Sequence, residues 1–133
     1  MTKKVLVITD AQNEFITGAL GNKECEAAVK NIVAAAERGE YYKVIITKDT
    51  HTADYLDTQE GKRLPVLHGQ EGTEGYEIHP DIVKAVREQY APENVITNTF
   101  FAMFPLLYSF SIIVCTKSRQ PHPATTCFSY LQK

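Results

Sequence analysis

Short apolar runs alternate with longer amphipathic stretches along the first hundred residues of the chain. Residues 5–8 (Val-Leu-Val-Ile) and 44–46 (Val-Ile-Ile) are β-branched runs, typical of strands that are buried on both faces of a parallel sheet. Between them, residues 23–38 bring apolar side chains onto one helical face. The pattern therefore predicts a strand over 4–9, a helix, and a parallel strand over 43–48, joined as a crossover unit.

Residues that favour helix ends support this interpretation. Asn22 precedes the amphipathic stretch and suits an N-cap, and Gly39 follows it and suits the position after the C-cap. Pro80 is predicted to open a second helix, because proline is tolerated in the first helical turn, and Pro92 is predicted to end it.

The remaining segments are predicted from weaker signals. Residues 95–97 and 111–115 are expected to form further strands, and residues 50–79 a long loop. Residues 116–133 show no periodicity. The chain is thus expected to be an α/β domain with a mostly parallel sheet of three or four strands.

Polar, chemically capable residues follow two of the predicted strands. Asp10 comes directly after the first strand, and Asp49 and His51 follow the second. In open α/β sheets, ligands bind just outside the carboxyl ends of the strands, so these side chains are predicted to form a site with Asp10 as a general base. The alternative is that Asp10 merely starts a turn or caps a helix.

Composition narrows the class of protein. A chain of 133 residues is normally one domain. Its net charge of −2 means that it lacks the excess of basic residues typical of proteins that bind nucleic acid or an anionic membrane. The apolar segment 101–114 is interrupted by Pro105 and is too short to span a bilayer. Three cysteines without regular spacing do not suggest a disulfide framework, so a cytoplasmic location is expected.

Several short motifs, taken in order, resemble one known family. The chain is similar over residues 4–100 to the isochorismatase-like cysteine hydrolases, and most closely to nicotinamidases. The matching segments are Asp-Ala-Gln-Asn-Glu-Phe at 10–15, Lys-Asp-Thr-His at 48–51, Leu-Pro-Val-Leu-His at 64–68, Gly-Thr-Glu-Gly at 72–75 and Glu-Ile-His-Pro at 77–80.

The resemblance implies a fold and its extent in this chain. It implies a Rossmann-like three-layer α/β domain with a parallel sheet, C-terminally truncated here. Residues 1–100 would be the N-terminal part of the hydrolase domain, and residues 101–133 a divergent tail. One hypothesis is a shifted reading frame near residues 97–101, because the resemblance stops there and the amino-acid composition changes at the same place.

The resemblance also implies roles for individual residues. Asp10 matches the catalytic aspartate, which accepts a proton from a cysteine and later activates water. Asp49, His51 and His68 match the ligands of a divalent metal ion, commonly zinc, a donor set that suits such an ion. Phe15 would stack on a flat substrate ring, and the alternative is a core aromatic at the sheet edge.

Two expected members of the catalytic site depart from the family pattern. Thr97 stands where the family has a lysine. The family's nucleophilic cysteine lies in a Thr-Asp-x-Cys pattern, which this chain lacks. Cys25 is predicted to lie in the core. Of the other two cysteines, Cys127 is the preferred nucleophile over Cys115.

Three functional hypotheses follow from these residues. The first is a metal-assisted hydrolase that releases ammonia from a small aromatic amide such as nicotinamide, with activity impaired by the departures. The second is an inactive remnant that binds a divalent metal or a partner without turnover. The third treats the apolar residues 100–114 as an association surface that makes a homo-oligomer.

Overall fold

The computed structural model describes residues 3–98, 111–117 and 127–131; for residue 98 and the last two segments it describes the backbone only. The helices and strands in these residues are β1 (Lys4–Thr9), α1 (Asn13–Ile16), α2 (Lys23–Glu37), β2 (Lys43–Thr47), α3 (Gln59–Arg63), α4 (Pro80–Gln89), β3 (Val95–Asn98), β4 (Ser111–Lys117) and β5 (Cys127–Leu131), with 3-10 turns at Tyr55–Asp57 and Pro92–Asn94.

The described strands form one sheet in the order β3-β2-β1-β4-β5. β1 pairs in parallel with both β2 and β4, and β2 pairs in parallel with β3. Ile8 lies opposite Ile46 on one side and Cys115 on the other, so β1, β2 and β4 run in register toward a common edge. The expected α/β fold with a mostly parallel sheet is confirmed, but the described residues form five strands and not the three or four that were expected.

The main core lies between one face of this sheet and helices α2 and α4. Alternate residues of β1 and β2 point into it, because successive side chains of a strand face opposite ways. They meet the apolar stripes of the two helices, and the buried members are Leu6, Ile8, Val44, Ile46, Ile32, Ala36, Ile82 and Val86. On the other face Val5, Val7 and Ile45 are also buried, which explains why both strands are apolar throughout.

The helix boundaries follow the capping signals. Asn22 caps α2 by accepting a hydrogen bond from the Cys25 amide at 2.8 Å, and Gly39 adopts a left-handed φ of 61° just after the helix. Pro80 is the first residue of α4. The helix ends at Gln89, before Pro92, which instead opens a 3-10 turn.

Regular structure lies in the predicted long loop and also in the C-terminal residues that show no periodicity. Within residues 50–79 lie the 3-10 turn at Tyr55–Asp57 and α3, whose N-cap Thr58 accepts a hydrogen bond from the Gly61 amide at 3.0 Å. β5 lies within residues 116–133 and pairs antiparallel with β4. These elements were not predicted because three to five residues are too few to show a hydrophobic period.

Two further expectations concern cysteine and the membrane. Cys25 is buried on α2, as predicted, and it is disulfide-bonded, which the cysteine spacing did not suggest. Across residues 3–98 and the two later segments, no helix combines the length and the apolar character needed to cross a bilayer. Residues 100–110 of the predicted association surface lie outside the described residues.

Candidate metal centre and catalytic edge

Asp10 occupies a special backbone position where β1 ends. Its φ of 51° makes it the one non-glycine residue with a left-handed backbone among the described residues, a conformation that aspartate tolerates better than most. Its amide donates to the Thr47 carbonyl at 3.1 Å, and the Thr47 hydroxyl donates to Asp10 Oδ1 at 2.8 Å. The N-cap of the following helix is Gln12, so Asp10 does not serve as its cap. The carboxylate is therefore buried and held in one orientation at the sheet edge.

Asp49, His51 and His68 converge beside this edge. One ligand atom from each lies within 4.8 Å of the other two. His51 Nε2 is 3.3 Å from Asp49 Oδ1, and His68 Nε2 is 3.4 Å from Asp49 Oδ2. The two imidazoles thus flank one carboxylate, a donor set that suits a divalent transition metal such as zinc.

The second ring nitrogen of His68 indicates how this site is prepared for a cation. His68 Nδ1 lies 2.7 Å from the Val66 carbonyl oxygen, which can only accept a hydrogen bond. Nδ1 therefore carries the proton, and Nε2 presents its lone pair toward Asp49. His51 Nε2 is buried, and its 3.3 Å contact with Asp49 Oδ1 does not have the geometry of a hydrogen bond. One carboxylate and two imidazoles whose ligand atoms lie this close together fit a divalent metal ion.

Aromatic rings enclose the two imidazoles. Tyr55 is 1% exposed, and its ring centroid lies 4.4 Å from that of His51 and 4.8 Å from that of His68. Its hydroxyl donates to the Leu64 carbonyl at 3.0 Å. Burial, with smaller contributions from Glu60 and Asp49, raises the pKa of Tyr55, so the ring stays neutral beside the site.

Phe15 lies on another side of His68. It is buried, and its ring meets the imidazole edge-on with the centroids 5.6 Å apart. This contact brings the side chain to the metal site, although the sequence alone left a core position equally open. Its role toward a substrate stays a prediction.

Gln12 and Glu14 form a buried polar pair that the sequence analysis did not identify as part of the site. Gln12 Oε1 accepts from the Asp49 amide at 2.7 Å, and Gln12 Nε2 donates to the Asp49 carbonyl at 3.0 Å. Gln12 Nε2 also lies 3.2 Å from Glu14 Oε1, which accepts from the Gly69 amide at 2.9 Å. The signal that could have revealed them is the run of three polar residues at 12–14, which begins two positions after Asp10.

Gly69 and Gln70 join the two ligand-bearing segments to each other. The His51 amide donates to the Gly69 carbonyl at 2.8 Å. Gln70 Nε2 donates to the carbonyls of His51 at 3.1 Å and His68 at 3.1 Å. Gly69 has a φ of +64°, and a Cβ built there would lie 2.8 Å from His51 Cδ2. The close approach of these segments therefore requires glycine at this position.

Comparison with known proteins decides the family. The family model for the Isochorismatase domain matches residues 4–107 of the chain. The chain belongs to the isochorismatase family. A search of curated proteins gave no match.

Solved structures of this family share the fold of the chain. The nicotinamidase/pyrazinamidase of Bacillus subtilis superposes with a TM-score of 0.67 at 23% identity, covering 86% of this chain and 70% of that one. The pyrazinamidase/nicotinamidase of Streptococcus mutans gives 0.67 at 18% identity, with coverages of 85% and 71%. The N-carbamoylsarcosine amidase of Thermoplasma acidophilum gives 0.59 at 20% identity, with coverages of 86% and 67%.

The two departures from the family pattern lie in different parts of the sheet. Thr97, at the position of the family lysine, is exposed on β3 and pairs with Ile46. Cys127 is the first residue of β5 and pairs with Lys117, the last residue of β4. Its backbone therefore lies at the edge where β1 and β2 also end, whereas Cys115 pairs with Ile8 inside the ladder.

His79, the third histidine along the chain, has a structural position in this isochorismatase fold. Its Nδ1 accepts from the Asp81 amide at 3.3 Å and so caps α4. Its own amide donates to the Ala11 carbonyl at 2.9 Å, which ties the start of α4 to the segment after Asp10.

Proposed function

We propose that this chain hydrolyses the C–N bond of a small, flat amide such as nicotinamide and releases ammonia. The observation that carries the proposal is the shared edge of β1 and β2. Asp10 is fixed there by Thr47, and Gln12, two residues later, binds the backbone of Asp49. A general base and a metal ligand set are thereby held on the same pair of strand ends, where α/β folds bind ligands.

In this proposal Asp49, His51 and His68 hold the divalent cofactor, which we take to be zinc. The closeness of their ligand atoms and the contact of His68 Nδ1 with a backbone carbonyl support this assignment. When bound, such an ion polarises a ring nitrogen of the substrate or a water molecule. We further propose a small-molecule substrate, a cytoplasmic location and no nucleic-acid partner, in keeping with the net charge of −2.

The covalent chemistry would use Asp10 and a thiol. The Asp10 carboxylate takes the thiol proton of Cys127, and the thiolate attacks the amide carbon. The C–N bond breaks as Asp10 returns the proton to the departing ammonia. Water then gives a proton to Asp10 while the water oxygen attacks the thioester. The thiolate leaves and takes that proton from Asp10, which releases the carboxylic acid and restores the thiol. The edge position of the Cys127 backbone favours it over Cys115. Because the chain has three cysteines and Cys25 is disulfide-bonded, this chemistry requires the chain in its reduced form.

Phe15 would form a wall of the substrate pocket. Its edge-on contact with His68 brings an aromatic surface next to the cation site. A flat heteroaromatic ring gains most from such a neighbour, since offset and edge-to-face aromatic pairs are favourable.

An ammonia-release assay with nicotinamide tests the proposal. Wild-type protein should release ammonia, and a chelator should suppress this release, with activity restored by added zinc. Asp10→Asn should abolish turnover, while Asp57→Asn, a change at an exposed aspartate on a 3-10 turn, should not. Cys127→Ser should also abolish it, with Cys115→Ser as the control. Full activity in Asp10→Asn would contradict the proposal.

A second candidate function is metal binding without turnover, and Thr97 favours it. A threonine cannot supply the positive charge that would depress a thiol pKa, which the family lysine provides. This candidate predicts that zinc binds through Asp49, His51 and His68 while no ammonia is released. Thr97→Lys would then be expected to raise ammonia release, and Thr97→Met, of similar length without charge, would not.

A further inference from the structure

We infer that Gln12 and Glu14 are positioning residues that set the affinity of the metal site, acting through the backbones of the two segments that carry its ligands. This inference rests on the metal-binding part of the proposed function. It adds to that function two residues that do not themselves offer a ligand atom to the site.

Gln12 holds the first segment by a two-point contact. Its carboxamide accepts from the Asp49 amide at 2.7 Å and donates to the Asp49 carbonyl at 3.0 Å. A side-chain amide that pairs with both backbone groups of one residue copies the pairing of a β-strand, and it fixes the rotation of that residue about its backbone. Since Gln12 is fully buried, water does not compete for these bonds.

Glu14 extends this contact to the second segment. Its Oε1 accepts from Gln12 Nε2 at 3.2 Å and from the Gly69 amide at 2.9 Å. Gly69 follows His68 directly, so the same carboxylate oxygen connects the support of Asp49 to the backbone beside His68. Hydrogen bonds to a carboxylate are stronger than those between neutral groups.

The two contacts together fix the separation of ligands that come from distant parts of the chain. Gln12 reaches 37 positions along the sequence and Glu14 reaches 55. Both residues lie at the start of α1, whose backbone is itself anchored, because the Glu14 amide donates to the Gly75 carbonyl at 2.9 Å. Side chains at the start of this short, anchored helix thus hold the backbone at Asp49 and the backbone next to His68.

The expected size of the effect follows from other metalloproteins. Removing a residue that supports a metal-ligating side chain typically weakens metal binding by about 10–100-fold. The reason is that the ligating side chain is then less well oriented in the metal-free protein. The same loss is expected here for zinc. The bound coordination should change as well, since Asp49 would be free to rotate.

The experiment is titration of the full chain with zinc alone by calorimetry, together with visible absorption of the cobalt-loaded protein. Gln12→Met keeps the length of the side chain and removes its hydrogen bonds. We expect zinc affinity to fall about 10–100-fold and the cobalt bands to shift. Gln89→Met, the same substitution on the exposed end of α4, should leave both unchanged. A Gln12→Met protein with wild-type affinity and spectrum would overturn the inference.

Further variants keep the inference testable if Gln12→Met does not fold. Gln12→Asn retains an amide that is one carbon too short to reach both groups of Asp49, so it should weaken zinc binding even if Gln12→Met does not fold. Glu14→Gln keeps an oxygen that can accept both hydrogen bonds, and it should bind zinc more tightly than Glu14→Leu. Equal affinities in these two Glu14 variants would count against the inference.

The outcome also separates this inference from the proposed hydrolase activity. If the wild-type chain binds zinc but releases no ammonia, the hydrolase proposal fails and the Gln12 variants still decide the positioning role. If the wild-type chain does not bind zinc, the positioning role is refuted.

Discussion

His68 Nδ1 lies 2.7 Å from the carbonyl oxygen of Val66, two residues earlier in the chain. This short contact within one segment determines the tautomer of a buried imidazole, because a carbonyl cannot donate. Nε2 is then available to a cation together with His51 and Asp49. The metal site is thus prepared by a local backbone contact as well as by the meeting of distant segments.

Replacing this ligand should therefore abolish tight metal binding. His68→Gln removes an imidazole donor, and we expect zinc affinity to fall by more than about 100-fold, beyond the loss typical of a merely supporting residue. Calorimetric titration measures it. His79→Asn is the matched control, since asparagine can still cap α4 and His79 is outside the ligand set. Equal losses in both variants would show that the effect is not specific to the site.

Gly69→Ala should damage both stability and metal binding. The left-handed backbone alone costs a non-glycine residue about 1–2 kcal/mol. The new Cβ would also lie 2.8 Å from His51 Cδ2 and 3.1 Å from the His51 amide nitrogen, so a residue of the candidate metal site must move. Urea unfolding and zinc titration measure the two effects.

Gly72→Ala separates the cost of the left-handed backbone from the effect of the close contact with His51. Gly72 has a φ of +80°, but a Cβ there would have nothing within 4 Å. This variant should lose about 1–2 kcal/mol of stability from the backbone alone and keep its zinc affinity. If Gly69→Ala matches it in both measurements, the close approach to His51 has no consequence for the site.

Thr47→Val should loosen the Asp10 carboxylate. Valine retains the shape and strand preference of threonine but cannot donate the 2.8 Å hydrogen bond to Asp10 Oδ1. We expect a loss of about 1 kcal/mol in the free energy of unfolding and reduced ammonia release. Thr47→Ser retains the hydroxyl and should recover most of the turnover. Unchanged turnover in Thr47→Val would show that this bond does not orient the carboxylate for catalysis.

The strands and long helices could be predicted because their burial imposes a regular pattern. Val5 and Leu6 face opposite sides of a sheet that is buried on both faces, and Ile82 and Val86 lie one helical turn apart on α4. The N-cap Asn22 of α2 and the first-turn proline Pro80 of α4 add signals that depend only on local chemistry. Such features repeat over enough residues to be visible without a structure.

The site was predictable only in part, for a physical reason. Asp49 and His51 follow a strand and alternate along one segment, so their convergence could be anticipated, and the family resemblance supplied His68. The partners of Gln12 and Glu14 are backbone groups 37 and 55 positions away. Backbone amides are the same in every residue, so no sequence pattern identifies which one a buried side chain will bind.

The pH dependence of stability offers a last prediction, at Tyr90 in the core. Burial, the largest cause, raises the pKa of Tyr90 above its usual value near 10. At high pH the unfolded chain loses this proton before the folded chain does, so stability present below about pH 10 is lost as pH rises toward the folded pKa. Tyr90→Phe should make the decline in urea unfolding free energy between about pH 9 and 11 shallower. Tyr42→Phe, at a tyrosine that is 47% exposed, should not, and equal slopes in the two variants would contradict the prediction.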